Sequence, residues 1–215
     1  MKLAIFDCDG TLVDGQASIC EAMEAAFAAA DLPAPDRHTI RRIVGLSLPQ
    51  ALRMLAPDAS EDQHAIALET YKHAFRTSRI NGTLEEPLFD GMAELIERLT
   101  DAGWSLAVAT GKSDRGLTSC LAAHGLIDRF VSLQTADRHP SKPDPAMLEA
   151  ALIEAGATPD EAVMIGDTTF DIVMARAAGV RAIGVDWGYH SPEELLAEGA
   201  EAVATSCEHL EQLMQ

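Results

Sequence analysis

The sequence predicts an α/β fold: a doubly wound parallel sheet carrying a helical insertion after its first strand. Three observations carry this. Short apolar runs at 2–6, 106–109, 130–133, 162–165 and 180–185 alternate with segments of helical period, the rhythm of strands crossed over by helices. These runs are apolar throughout, as burial on both faces of a sheet demands. Residues 15–85 break the rhythm and read as helix only. Residues 1–14 and 86–215 are therefore assigned to one core, and 15–85 to an inserted cap resembling a four-helix bundle.

Each element has its own reason. Residues 2–6, Lys-Leu-Ala-Ile-Phe, form the first strand. Residues 16–30 are rich in alanine, with Ile19, Met23 and Phe27 at helical spacing, and Pro33 and Pro35 end them. A short helix over 39–44 closes at Gly45, and another over 48–55 ends before Pro57. Ser60 precedes an acidic turn, helix continues over 65–75, and Asn81-Gly82 turns the chain. Beyond Pro87 the core resumes. A helix over 91–101 puts Met92, Leu95, Ile96 and Leu99 on one face. Ser113 caps a helix that reaches His124 and stops at Gly125. Pro145 opens a helix over 145–154, since proline suits the first turn. Helices over 170–178, 192–197 and 209–214, with a short strand at 202–204, complete the core.

Composition narrows the function classes. The chain has 215 residues, 47% of them hydrophobic, enough for a substantial core. Its formal charge of −18 repels nucleic-acid phosphates and anionic membranes, so neither is an expected partner. An anionic ligand would need local positive charge, which makes Lys112 and Lys142 conspicuous among only 16 lysines and arginines. Cys8, Cys20, Cys120 and Cys207 are scattered, with no zinc-ligand spacing. Free thiols in a reducing compartment fit better. No apolar run reaches the roughly 18 residues of a membrane span, and the first residues do not read as a signal peptide. Cytoplasm is the expected location, and monomer or homodimer the expected state.

In open α/β sheets, chemistry collects beyond the carboxyl ends of the strands. The first strand ends in Asp7-Cys8-Asp9-Gly10-Thr11. Two carboxylates this close repel unless a cation or a shared proton holds them, and oxygen ligands of this kind invite Mg2+. Gly10 lets the chain turn where a side chain would clash. The second core strand ends in Thr110-Gly111-Lys112-Ser113, the loop after the third holds Ser141-Lys142-Pro143-Asp144-Pro145, and the fourth ends in Gly166-Asp167-Thr168-Thr169-Phe170-Asp171. Each cluster alone has a plainer reading: helix caps for the aspartates, a turn for Thr110-Gly111, a solvated lysine for Lys142. Four polar clusters at corresponding topological positions point instead to one site, with the insertion as its lid.

With these motifs in place the chain resembles the haloacid dehalogenase-like superfamily, in particular phosphatases with a helical cap after the first motif. The resemblance covers essentially the whole chain and implies a Rossmann-like core. The family's DxDGT motif stands here as residues 7–11, its strand ending in Thr as Val108-Ala109-Thr110-Gly111, its lysine as Lys142, and its GDxxxD as residues 166–171. The segment 184–189, Gly-Val-Asp-Trp-Gly-Tyr, also looks like the phosphoglycolate phosphatase-like branch. By resemblance, Asp7 is the nucleophile that forms an aspartyl-phosphate and Asp9 the general acid, then base. Mg2+ is held by Asp7, Asp167 and the backbone carbonyl of Asp9, with Asp171 acting directly or through water. Gly10, Thr110, Gly111 and Lys142 hold the phosphoryl group. Asp9 and the acidic fourth motif favour phosphoryl over carbon–halogen chemistry.

The resemblance also assigns substrate choice to the cap. Arg41, Arg42 and Lys72 are candidates to meet a carboxylate or a second phosphate, or else they solvate a helix in an acidic protein. Arg42-Ile43-Val44-Gly45 is similar to a cap segment that faces the site in relatives. A closed lid implies a small phosphorylated metabolite, with phosphoglycolate first. Sugar phosphates, nucleoside monophosphates and pyrophosphate, or a β-phosphoglucomutase-like isomerisation, are the alternatives. Asp14 lies near the hinge, followed by Gly15 where the family often has a small hydroxyl residue. Cys8 is expected to turn toward the core, and Trp187 and Tyr189 to pack.

Overall fold

A computed structural model describes residues 2–215. The chain starts with β1 (Lys2–Phe6) and then makes the cap helices α1 (Gln16–Ala29), α2 (Arg37–Arg42), α3 (Leu48–Leu55) and α4 (Glu61–Asn81). The core resumes with α5 (Met92–Asp101), β2 (Trp104–Thr110), α6 (Asp114–Ala123), β3 (Ser132–Thr135) and α7 (Ala146–Ala155). It ends with β4 (Ala162–Gly166), α8 (Thr169–Ala177), β5 (Arg181–Val185), α9 (Pro192–Ala197), β6 (Ala202–Ala204) and α10 (Cys207–Met214).

All strand pairs are parallel, in the order β3-β2-β1-β4-β5-β6. β1 therefore lies mid-sheet, with Ile5 beside Ala107 of β2 and Met164 of β4. Alternation along β1 feeds two cores. Ala4 and Phe6 join Met92, Leu95 and Ile96 of α5, Leu117 of α6 and Leu210 of α10. Leu3 and Ile5 join Met147 and Leu148 of α7, Ile172 of α8 and Leu195 of α9. This is the doubly wound α/β architecture, with the helical cap inserted after the first strand. Cys8 is buried in the first of these cores.

The cap has a third apolar cluster, built on Met23, Phe27, Ile40, Leu52 and Ala67, against which Phe170 and Tyr189 of the core also pack. Among the described residues, no helix is long and apolar enough to cross a membrane.

Several boundaries differ from the sequence reading, each for a local reason. α4 spans 61–81, starting after Ser60 as expected and running past 75 to the Asn81-Gly82 turn. Ser60 and Gln63 close a reciprocal capping box at its start, and Gly82, at φ 70°, supplies the left-handed residue that ends it. α2 begins at Arg37, because the Asp36 side chain accepts the Thr39 amide. β2 extends to 104–110, since pairing with β1 carries it past the apolar run. β3 sits at 132–135 rather than 130–133, aligned with the last four residues of β2.

Candidate active site

Four strand ends meet above the middle of the sheet. The turn after β1 is tight. Leu12 and Val13 amides both reach the Cys8 carbonyl, and Gly10 adopts φ 85°. No side chain fits at Gly10: a Cβ there would stand 2.2 Å from an Asp167 oxygen. Gly188, arriving from the loop after β5, presses on the same carboxylate, and its Cβ would lie 2.2 Å from the Asp167 Cβ. Asp167 is further held by the Thr11 hydroxyl at 2.9 Å and the Tyr189 amide at 2.9 Å.

Asp171 opens the first turn of α8. One of its oxygens accepts the Thr168 amide and hydroxyl at 3.0 and 2.7 Å, and the other accepts Lys142 Nζ at 2.6 Å. Lys142 is wholly buried and also lies 2.8 Å from Asp7 Oδ1. The ammonium is at ion-pair distance there, yet no well-directed hydrogen bond reaches either Asp7 oxygen. Burial would lower the Lys142 pKa, but Asp171 and Asp7 outweigh it and hold the ammonium charged. Burial pushes the Asp7 carboxyl up to about 7 against the pull of Lys142, and Asp171 adds to the rise. Asp167 is raised as well, by burial first and then by Asp171 and Asp7.

Three buried carboxylates thus crowd one site, and two of them, Asp7 and Asp171, share one lysine. Asp7, Asp167 and Asp171 each bring an oxygen within 4.8 Å of the others. Such crowding favours a cation or protons. The all-oxygen donor set and the unsatisfied Asp7 oxygens fit a hard divalent ion.

Thr110 is buried at the end of β2, and its hydroxyl accepts the Lys112 amide at 3.3 Å. The cap lies directly over the next residue. A Cβ on Gly111 would stand 2.5 Å from the Leu46 carbonyl oxygen and 2.6 Å from that of Gly45. Only glycine admits this approach of two backbones. Asp9 faces Lys112, whose ammonium lies 3.0 Å from Asp9 Oδ1 and 2.5 Å from Glu86 Oε1. Burial raises the Asp9 carboxyl, and Lys112 opposes the rise.

The structure places the cap cations elsewhere than beside these carboxylates. Arg42 makes a two-pronged pair with Glu194 of α9, at 2.6 and 2.9 Å, which fastens cap to core. The Arg42 carbonyl also meets His190 Nε2 at 3.1 Å, and the Ser47 amide meets the Ser141 hydroxyl at 2.8 Å. Lys72 pairs with Glu69 on the outer surface of α4. Arg41 contacts Gln16 at 3.2 Å and lines a cavity of about 220 Å³ on the cap–core seam, with Asp14, His38, Gly10 and Tyr189. The Tyr189 hydroxyl is buried without a hydrogen bond, and Trp187 packs on Phe89 and donates to the Thr11 carbonyl at 3.1 Å. Sequence reasoning missed Glu86, Glu194 and His190. Each has a partner in the core as well, Lys112 for Glu86, the Ser191 amide for Glu194 and the Thr169 amide for His190, and its link to the cap shows only in the folded chain.

Known proteins agree with this arrangement. A family model for haloacid dehalogenase-like hydrolase matches residues 4–185. Probable phosphatase IndB of Dickeya dadantii is 36% identical over 204 residues, covering 94% of this chain and 88% of that protein. Phosphoglycolate phosphatase of Vibrio parahaemolyticus is 29% identical over 98% of this chain and 94% of its own length. A hydrolase from Pseudomonas syringae superposes with a TM-score of 0.88 at 27% identity, covering 100% of this chain and 98% of that one. The chain belongs to the haloacid dehalogenase-like hydrolases, as a capped phosphatase of the phosphoglycolate phosphatase-like branch.

Proposed function

We propose that the protein hydrolyses a small phosphate monoester with Mg2+, through an aspartyl-phosphate on Asp7, and that phosphoglycolate is the first substrate to try. One observation carries the reading. The Asp7 carboxylate is buried at a strand end beside Lys142, with no well-directed hydrogen bond on either oxygen. A buried carboxylate with an ammonium beside it to offset the charge of the incoming phosphoryl group suits attack.

In the proposed reaction an Asp7 oxygen bonds to phosphorus as the bond from phosphorus to the leaving oxygen breaks. Asp9 gives that oxygen its proton. Asp9 then takes a proton from water, which attacks phosphorus and releases Asp7. Lys142 offsets charge on the transferring oxygens, and Thr110 with Gly111 orients them. Asp7, Asp167, Asp171 and the Asp9 carbonyl would hold Mg2+, which when bound neutralises phosphoryl charge. Arg41, which lines the seam cavity, is the cap residue we assign to an anionic leaving group. Arg42 could serve there only by releasing Glu194. The four buried free thiols suit a reducing cytoplasm.

A panel of phosphate esters assayed with and without EDTA tests the reading. Turnover of 4-nitrophenyl phosphate should vanish with EDTA and return with Mg2+, and phosphoglycolate should rank among the best esters. Turnover indifferent to chelation would overturn the metal assignment. Gly188→Ala supplies a narrower check. Its methyl group would press on Asp167, so the Mg2+ concentration for half-maximal activity should rise by about 10–100-fold. An unchanged value would remove Asp167 from the metal site.

A further inference from the structure

Glu86 lies on the linker between α4 and α5 and takes no part in the chemistry above. Its side chain is 8% exposed and joins two cations. Oε1 accepts Lys112 Nζ at 2.5 Å, and Oε2 accepts Arg79, in the last turn of α4, at 3.1 Å. The Glu86 carbonyl is fixed as well, 2.7 Å from His124 Nε2 at the end of α6. Lys112 in turn lies 3.0 Å from Asp9 Oδ1, with Phe75 of α4 beside its ammonium at 5.8 Å from the ring centre. A continuous chain, Arg79–Glu86–Lys112–Asp9, therefore runs from the cap through the linker to the second aspartate of the first motif.

Burial gives the chain its force. Charges out of water attract strongly and are little screened by salt. An ammonium with three donors on a flexible stem takes its position from its acceptors. Here two carboxylates set it, so Lys112 stays where Glu86 puts it. Asp9 Oδ1 is turned to the hinge, where a Cβ on Gly15 would meet it at 3.2 Å. The ion pair with Lys112 draws Oδ1 to that side, with no well-directed hydrogen bond on the oxygen, and leaves Oδ2 as the other oxygen of the carboxylate.

We propose that Glu86 is a positioning residue for proton transfer by Asp9. Through Lys112 it holds the Asp9 carboxylate toward the leaving oxygen, and through Arg79 it ties that orientation to the seating of α4 on the core. This rests on the reading of Asp9 as proton donor. In that step the leaving oxygen keeps the electron pair of its broken bond to phosphorus and takes the Asp9 proton, while Glu86 and Lys112 exchange none with the substrate.

Leaving groups that differ in their need for a proton test the proposal. An alkoxide must be protonated as it departs, and 4-nitrophenolate need not be. Glu86→Gln should lower kcat/KM, which reports the steps through transfer to Asp7 and not the later hydrolysis common to all esters, by about 10–100-fold for the best alkyl ester of the panel and by less than about 3-fold for 4-nitrophenyl phosphate. The ratio of the two is taken within one sample, so the folded fraction cancels. Glu86→Asp should restore part of the ratio, and Arg79→Gln should move it in the same direction as Glu86→Gln by a smaller factor. Equal losses on both esters in Glu86→Gln and Arg79→Gln, or no loss on either, overturn the proposal. Asp9→Asn separates the two levels. If it leaves the ratio unchanged, Asp9 is not the donor. If it shifts the ratio and the Glu86 and Arg79 variants do not, the positioning role alone fails.

Discussion

Asp7→Asn should lose turnover by a factor on the order of 10⁴–10⁶, the scale on which a covalent nucleophile is missed, while the protein folds normally. The two halves of this expectation have separate causes. Asparagine cannot form the acyl phosphate, so the ester bond has no attacking group. Stability goes the other way. Burial disfavours the charge of the Asp7 carboxyl and raises its pKa, so at neutral pH its charged form opposes folding. Removing it leaves Lys142 paired with Asp171 at 2.6 Å. The melting temperature without metal should therefore equal or exceed that of the native protein. Phosphate release and thermal melting on the same preparation check both halves, and retained turnover would reassign the nucleophile.

Lys142→Met should damage both properties. Asp7 and Asp171 lose the lysine they share, and breaking a buried pair from one side costs about 3–5 kcal/mol, less whatever proton uptake by the carboxylates returns. The melting temperature without metal should fall clearly. Turnover should drop by about 10²–10³-fold, as when one stabiliser of transition-state charge is removed. Mg2+ should raise the melting temperature more in this variant than in the native protein, because it supplies a cation where one is missing. Equal Mg2+ shifts in both would mean that Lys142 and the metal do not act on the same carboxylates.

How much of this was legible in the sequence depends on the range of the interaction. Asp7, Thr110, Lys142 and Asp167 could be brought together because each ends or follows an apolar run, and strand ends in a parallel sheet share one edge. Residues 16–30 read as helix because Ile19, Met23 and Phe27 repeat at a helical period, and all three lie in the cap's apolar cluster. Helix ends needed the caps: α4 runs well beyond its apolar stretch because Ser60 and Gly82 set its limits. The seam was not legible. Arg42 reads as a free cation until Glu194, 152 residues away, is seen against it. Glu86 has no periodicity or motif around it, and its meaning comes from two cations delivered by different domains.

The cap's apolar cluster is not self-contained, since Phe170 and Tyr189 of the core pack against it. Swinging the cap away is thus a partial dissolution of an oil-like contact, in which two aromatic rings become wet. Contacts of that kind loosen on cooling. The ion pairs and hydrogen bonds along the same seam, Arg42–Glu194 and Ser47–Ser141 among them, do not share that cause of weakening. Cold therefore shifts the load of closure from the rings to the polar latches, and the same lid is held by different forces at low and at high temperature.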